Sequence, residues 1–213
     1  IKQSRDFSKF NLGIRLPGKK QTNIKNIKIP LLGLHNVRNA TAAVAVAITI
    51  GISKDIIKQG LKGFKGVQRR FNKIFKYRET EFYDDYAHHP TEIKEVLKGV
   101  KAAYRDDEVI CVFQPHRISR LKDLKKEFSQ SFKKADTVIL CPVHTAGEKM
   151  KLGFNYSNFA KDIIKNSKVR LFMVNDKYQL AKFIKSNIFG KKIVIGMGAG
   201  TISNWMKELP KLI

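Results

Sequence analysis

The chain has 213 residues, enough for one large domain or one and a half, and its 43% hydrophobic content is that of a globular protein. Its longest apolar stretch, residues 40–52, is too short to cross a bilayer, and no charged-then-apolar leader opens the chain, so a membrane span and export are not expected. A net charge of +24 raises nucleic acid as a partner, but most of the 42 basic residues are lysines scattered along the whole chain, whereas a nucleic-acid surface favours arginine forks gathered on one face.

In chain order, residues 11–16 and 24–32 read as short strands. Residues 36–50 read as a buried helix stopped by Gly51, and Ser53 caps a second helix that ends among the glycines at 63–66. That cluster sets the expected domain boundary, with 1–65 on one side and 66–213 on the other. Beyond it strands (71–76, 81–86, 109–114, 137–141, 169–174, 192–195) alternate with helices (90–104, 119–133, 156–166, 177–187, 201–209). Runs such as Val109-Ile110-Cys111-Val112-Phe113 are apolar on both faces, as buried parallel strands are. The expected fold is therefore α/β, a doubly wound, Rossmann-like, mostly parallel sheet. Cys111 and Cys141 sit inside such runs as small hydrophobes, which suits a reducing cytoplasm.

Four segments carry chemistry, and one more only looks as if it does. Gly13-Ile14-Arg15-Leu16-Pro17-Gly18-Lys19-Lys20 matches most of a phosphate loop, but Lys20 replaces the magnesium-binding hydroxyl and no apolar helix follows, so a turn is expected. His35-Asn36-Val37-Arg38-Asn39-Ala40 puts two carboxamides three apart on a first helical turn, where they match the donor–acceptor edge of adenine or, for Asn36, a simple cap. Gly66-Val67-Gln68-Arg69-Arg70-Phe71 places two guanidiniums before a strand. Tyr83-Asp84-Asp85-Tyr86-Ala87-His88-His89-Pro90-Thr91-Glu92 ends a strand in acids and imidazoles and starts a helix at Pro90, so these groups collect where open α/β sheets hold ligands. Gln114-Pro115-His116-Arg117-Ile118-Ser119-Arg120 ends another strand, with Arg117 and Arg120 spaced to converge on one carboxylate. Gly196-Met197-Gly198-Ala199-Gly200 resembles a dinucleotide turn but stands too late in the chain; close strand–helix packing explains it better. His144 follows a strand with no assigned part.

Together the segments at His35, Gly66, Asp84 and Phe113, in this order and spacing, resemble the Mur ligases. The resemblance covers about residues 27–211. It implies a three-domain, ATP-dependent carboxylate–amine ligase acting through an acyl phosphate, with UDP-N-acetylmuramate and L-alanine as substrates, ATP and Mg2+ as cofactors and a cytoplasmic location. It implies that residues 1–65 are the tail of a central ATPase domain and 66–213 the carboxyl-terminal α/β domain. The metal ligands would then lie outside this stretch, which alone would be inactive. By position, His35, Asn36 and Asn39 correspond to ATP-contacting residues, and Arg70 and Asp85 to the arginine and aspartate at its ribose and phosphates. Tyr86, His88, Arg117 and Arg120 correspond to the amino-acid end, so that Arg70, Asp85 and His88 are the expected catalytic groups. A murein-peptide recycling ligase is the nearest alternative. A basic nucleic-acid-binding module and a nicotinamide-dependent oxidoreductase are alternatives of other classes.

Overall fold

The computed structural model describes residues 1–18, 20–64, 66–148 and 154–213, and they form two compact units, Ile1–Val67 and Gln68–Ile213.

In the first unit, β1 (Lys2–Gln3), β2 (Ser8–Ile14) and β3 (Thr22–Ile29) form an antiparallel sheet in that order. Ile24, Ile27 and Ile29 are all buried, although strict alternation cannot put 24 and 27 on one face. A bulge resolves this. Phe10 pairs with Ile27 but Leu12 pairs with Ile24, so β3 carries one extra residue. Asn26 takes the left-handed conformation there (φ 59°), which asparagine tolerates, and its N–H donates to the Asn11 side chain at 2.8 Å. Ile14 pairs with Thr22 across the tip, so the segment resembling a phosphate loop joins two antiparallel strands and feeds no helix; its Lys19 lies outside the described residues. Helices α1 (Leu34–Thr49) and α2 (Lys54–Gly63) follow, the second started by Ser53, whose hydroxyl accepts from Ile56 N–H. Phe10, Ile24, Ile27 and Ile29 pack with Val37, Ala40 and Val44 of α1 and Ile57 of α2 as one core.

The second unit is a six-stranded sheet. Its strands are β4 (Asn72–Tyr77), β5 (Thr80–Asp85), β6 (Glu108–Phe113), β7 (Thr137–Leu140), β8 (Arg170–Met173) and β9 (Lys192–Met197), in the order β4-β5-β9-β6-β7-β8. Only β4 runs antiparallel, as a hairpin with β5. Between them the chain forms α3 (Pro90–Ala103), α4 (Ile118–Asp123), α5 (Lys125–Ser129), α6 (Tyr156–Ser167) and α7 (Lys177–Asn187), and α8 (Ile202–Glu208) follows β9. Alternate residues serve the two faces. Phe82, Ile110, Val112, Ile139 and Val194 pack with Leu180 and Ile184 of α7 and Ile202 and Met206 of α8. From the opposite face Tyr83 meets Tyr104, and Phe113 meets Phe128 and Phe132 at 5.8 and 5.2 Å between ring centroids. The last strand, β9, inserts between β5 and β6, so the carboxyl ends of β5, β9 and β6 lie side by side at the edge where open α/β sheets hold ligands.

One expected helix, 119–133, is instead two short ones divided at Leu124 (φ −116°, ψ 26°). Its end is drawn away by hydroxyl groups: Ser129 and Ser131 donate to the Lys126 and Glu127 carbonyls, and Phe132 N–H turns to Ser167 of α6.

Candidate functional site at the carboxyl edge of the parallel sheet

At the end of β5, Asp84 and Asp85 are each only 2% exposed. Both Asp85 oxygens accept from backbone, one from Phe71 N–H at 2.8 Å and one from Ala87 N–H at 2.7 Å, so this carboxylate fastens the turns on either side of the strand pair. Burial pushes its pKa up to about 6, against the opposing pull of those two bonds and of Arg70. Asp84 accepts from Ser203 of α8 at 2.6 Å through one oxygen, while its other oxygen is buried without a hydrogen-bond partner.

The two arginines before β4 are placed differently. Arg69, in the left-handed conformation, lays its guanidinium over the Tyr86 ring at 4.7 Å, donates to the Gly198 carbonyl at 2.6 Å and lies 3.8 Å from Asp84. Arg70 is exposed, with its backbone N–H held by Asn72. The arginine set into the edge is thus Arg69, which the sequence reading passed over. In a tight turn no periodicity distinguishes neighbours.

From Tyr86 a row of rings crosses the sheet edge. Tyr86 meets His88 edge-on at 5.0 Å, His88 meets His116 edge-on at 5.9 Å, and His116 stacks on His144 at 5.3 Å with planes 7° apart. His88 turns Nδ1 to the Tyr86 carbonyl (2.9 Å). His89 caps α3: its ring accepts from Thr91 N–H, Glu92 accepts in return from His89 N–H, and Pro90 occupies the first turn. The His116 pKa is lowered, first by burial and then by His144, Arg120, His88 and Arg117 around it.

The turns after β6 and β7 are fastened together. His144 N–H donates to the Pro115 carbonyl and Arg117 N–H to the His144 carbonyl, at 2.8 and 2.9 Å. Glu148 accepts from Ile118 N–H, Ser119 N–H and the Ser119 hydroxyl, which holds its own pKa low and secures the start of α4. Neither His144 nor Glu148 was assigned a part from sequence; their only signal was a loop following a buried strand. Arg117 carries a strained φ of 71° and is exposed. Arg120 folds its guanidinium back on the His116 carbonyl at 3.2 Å, one helical turn earlier. The late glycines do serve close packing. A Cβ on Gly196 would lie 2.4 Å from Met206, one on Gly198 (φ 151°) 2.6 Å from the Gln114 carbonyl, and one on Gly200 2.6 Å from the His144 ring.

The remaining candidates belong to the first unit. His35, Asn36 and Asn39 stand in the first turns of α1. Gly33 is the cap residue, so Asn36 is not; its amide donates to the Leu32 carbonyl at 2.7 Å, whereas Asn39 is exposed. Among the described residues no group of three or more His, Cys, Asp or Glu is arranged to hold a metal ion.

The sequence profile described as "Mur ligase, glutamate ligase domain" matches residues 69–200. A UDP-N-acetylmuramate–L-alanine ligase from Pelagibacter ubique is 76% identical over 213 residues, all of this chain and 46% of that protein. The ligase of the same name from Bartonella tribocorum is 37% identical over 97% of this chain and 44% of its own length. Among solved structures, UDP-N-acetylmuramate–alanine ligase from Thermotoga maritima superposes with a TM-score of 0.73 at 25% identity, covering 98% of this chain and 43% of that one. The chain thus spans less than half the length of the relatives it matches. Its mostly parallel sheet, the match across residues 69–200 and the imidazole-and-arginine edge between β5 and β7 agree: the chain belongs to the Mur ligase family.

Proposed function

We propose that this chain is the carboxyl-terminal part of an ATP-dependent, cytoplasmic ligase that joins L-alanine to UDP-N-acetylmuramate for peptidoglycan synthesis. The observation that carries this reading is the 76% identity, over the entire chain, to the Pelagibacter ubique protein of that name. In this reading residues 1–67 are the end of a central ATPase domain and residues 68–213 the domain that receives the amino acid.

A carboxylate is a poor electrophile, since its leaving group would be oxide; phosphate transferred from ATP supplies a usable one, and the alanine amine then attacks. The protein's share is alignment and charge neutralisation, and alignment alone is worth about 7–11 kcal/mol. Arg117, exposed at the start of α4, binds the alanine carboxylate, with Arg120 beside it. His88 faces the amine and accepts its proton, and His116 beside it is kept uncharged near neutral pH by its lowered pKa. Asp85 acts through backbone: by fixing Phe71 and Ala87 it sets where Arg70 and Tyr86 stand. Arg70 meets ATP phosphate, and His35, Asn36 and Asn39 form the adenine end, with Asn39 the carboxamide left exposed. Magnesium, when bound, neutralises phosphate charge. The described residues offer no donor set for it, and no step above runs through it.

The test is a chimera of the Pelagibacter ubique ligase carrying these 213 residues in place of its own matching ones. Phosphate release that requires ATP, UDP-N-acetylmuramate and L-alanine together is expected. Release that ignores L-alanine, or accepts a murein tripeptide in its place, contradicts the reading.

A further inference from the structure

His144 has no part in the scheme above, yet its surroundings are specific. Its ring lies parallel to His116 at 5.3 Å, and it sits where Gly200 leaves room, since a Cβ on that glycine would come within 2.6 Å of the ring. Its Nδ1 is buried without a hydrogen-bond partner. Burying an unpaired polar atom opposes folding, so stability alone gives no reason to place an imidazole here. The ring is held by stacking and shape, and its backbone is tied on both sides to the turn that carries His116: N–H to the Pro115 carbonyl, carbonyl to Arg117 N–H.

We propose that His144 is a positioning residue, whose ring sets the plane of His116 and thereby the seat of the incoming amino acid's amine. The inference rests on the ligase reading and adds to it a residue that acts through its neighbour. The groups facing His116 come from three directions: His88 from the end of β5, Arg117 and Arg120 from its own turn and α4, and His144 from the end of β7. Of these, His144 alone stacks face to face. A flat apolar ring in its place preserves the stack, while truncation both frees the His116 ring and opens it to water.

Two measurements decide it. In the 213-residue chain, the His116 ring is titrated by NMR in the parent, His144→Phe and His144→Ala. Truncation is expected to raise the His116 midpoint, because burial and the His144 ring both now depress it; phenylalanine should move it less. In the chimera, His144→Ala should raise KM for L-alanine about 2- to 12-fold, the range spanned by aromatic pairs, with KM for ATP unchanged, and His144→Phe should restore it. An unmoved His116 midpoint, an unchanged alanine KM, failure of phenylalanine to rescue, or equal shifts in both KM values in a folded protein would each overturn the proposal. A parent chimera without alanine-dependent phosphate release sinks the ligase reading instead, and the titration then still decides whether His144 governs His116.

Discussion

The two units bury their apolar residues to very different degrees. In the smaller one a three-stranded sheet and two helices share a buried core built on Phe10, Ile24, Ile27 and Ile29, while Val46, Ile50 and Ile56 are 61%, 69% and 62% exposed. In the larger one the central strands are covered on both faces, and Phe82, Phe113, Phe128, Phe132 and Phe159 are wholly buried. Chemistry follows the same division. Doubly covered strands hold a row of rings at their ends, with centroids 5.0–5.9 Å apart, whereas the first unit's candidates stand on a single helix. A site that must hold angles between side chains belongs on the unit whose strand ends cannot drift.

The contrast can be broken by destabilising each unit in turn. The only tryptophan, Trp205, lies in α8 and so reports the larger unit alone. Phe113→Ala removes a ring packed between Phe128 and Phe132 and should cost about 3–5 kcal/mol, seen as an earlier urea midpoint in Trp205 fluorescence. Ile27→Ala, at the heart of the smaller core, should cost about 2–5 kcal/mol in helical circular dichroism and leave the Trp205 midpoint in place. A shared shift in both signals would show that the units unfold as one.

A pH titration sharpens the comparison at Asp85. Its folded pKa of about 6 stands above the ordinary 3.8 because of burial, so between those values the folded chain keeps a proton that the unfolded chain has released. Its contribution is therefore fully present below about pH 4 and is lost as pH rises through 6, by about 3 kcal/mol. Comparing parent with Asp85→Asn by Trp205 fluorescence from pH 4 to 7 cancels the other carboxylates. A gap between the two that stays constant across this range would refute the burial argument.

Helix caps give the smallest effects. Asp176 accepts from two N–H groups at 2.8 Å at the start of α7, and Ser53 from one at 3.5 Å at the start of α2. Asp176→Ala should therefore cost about 1–2 kcal/mol and Ser53→Ala about 0.5 kcal/mol, each in its own unit. The reverse order would mean that bond length does not rank these caps.

Much of this was legible in sequence because it rests on period and punctuation. Doubly apolar runs marked β6, β7 and β9, and Pro90 marked the start of α3. What period cannot show is where neighbours in a turn point. Arg69 rather than Arg70 faces the edge because a left-handed residue turns the chain there. Ile24 and Ile27 share a face only through the bulge at Asn26. His144 and Glu148 acquire their parts by long-range backbone pairing between two turns, and nothing local announces it.

In the proposed ligase, the edge between β5 and β7 receives the amino acid. The most direct test is Arg117→Ala in the chimeric ligase, with KM measured for L-alanine and for ATP. Losing a charge-assisted bond of about 1.5–3 kcal/mol predicts a roughly ten- to hundredfold rise in KM for L-alanine with KM for ATP within about twofold of the parent. Equal rises for both substrates would place this arginine elsewhere in the reaction and contradict the account.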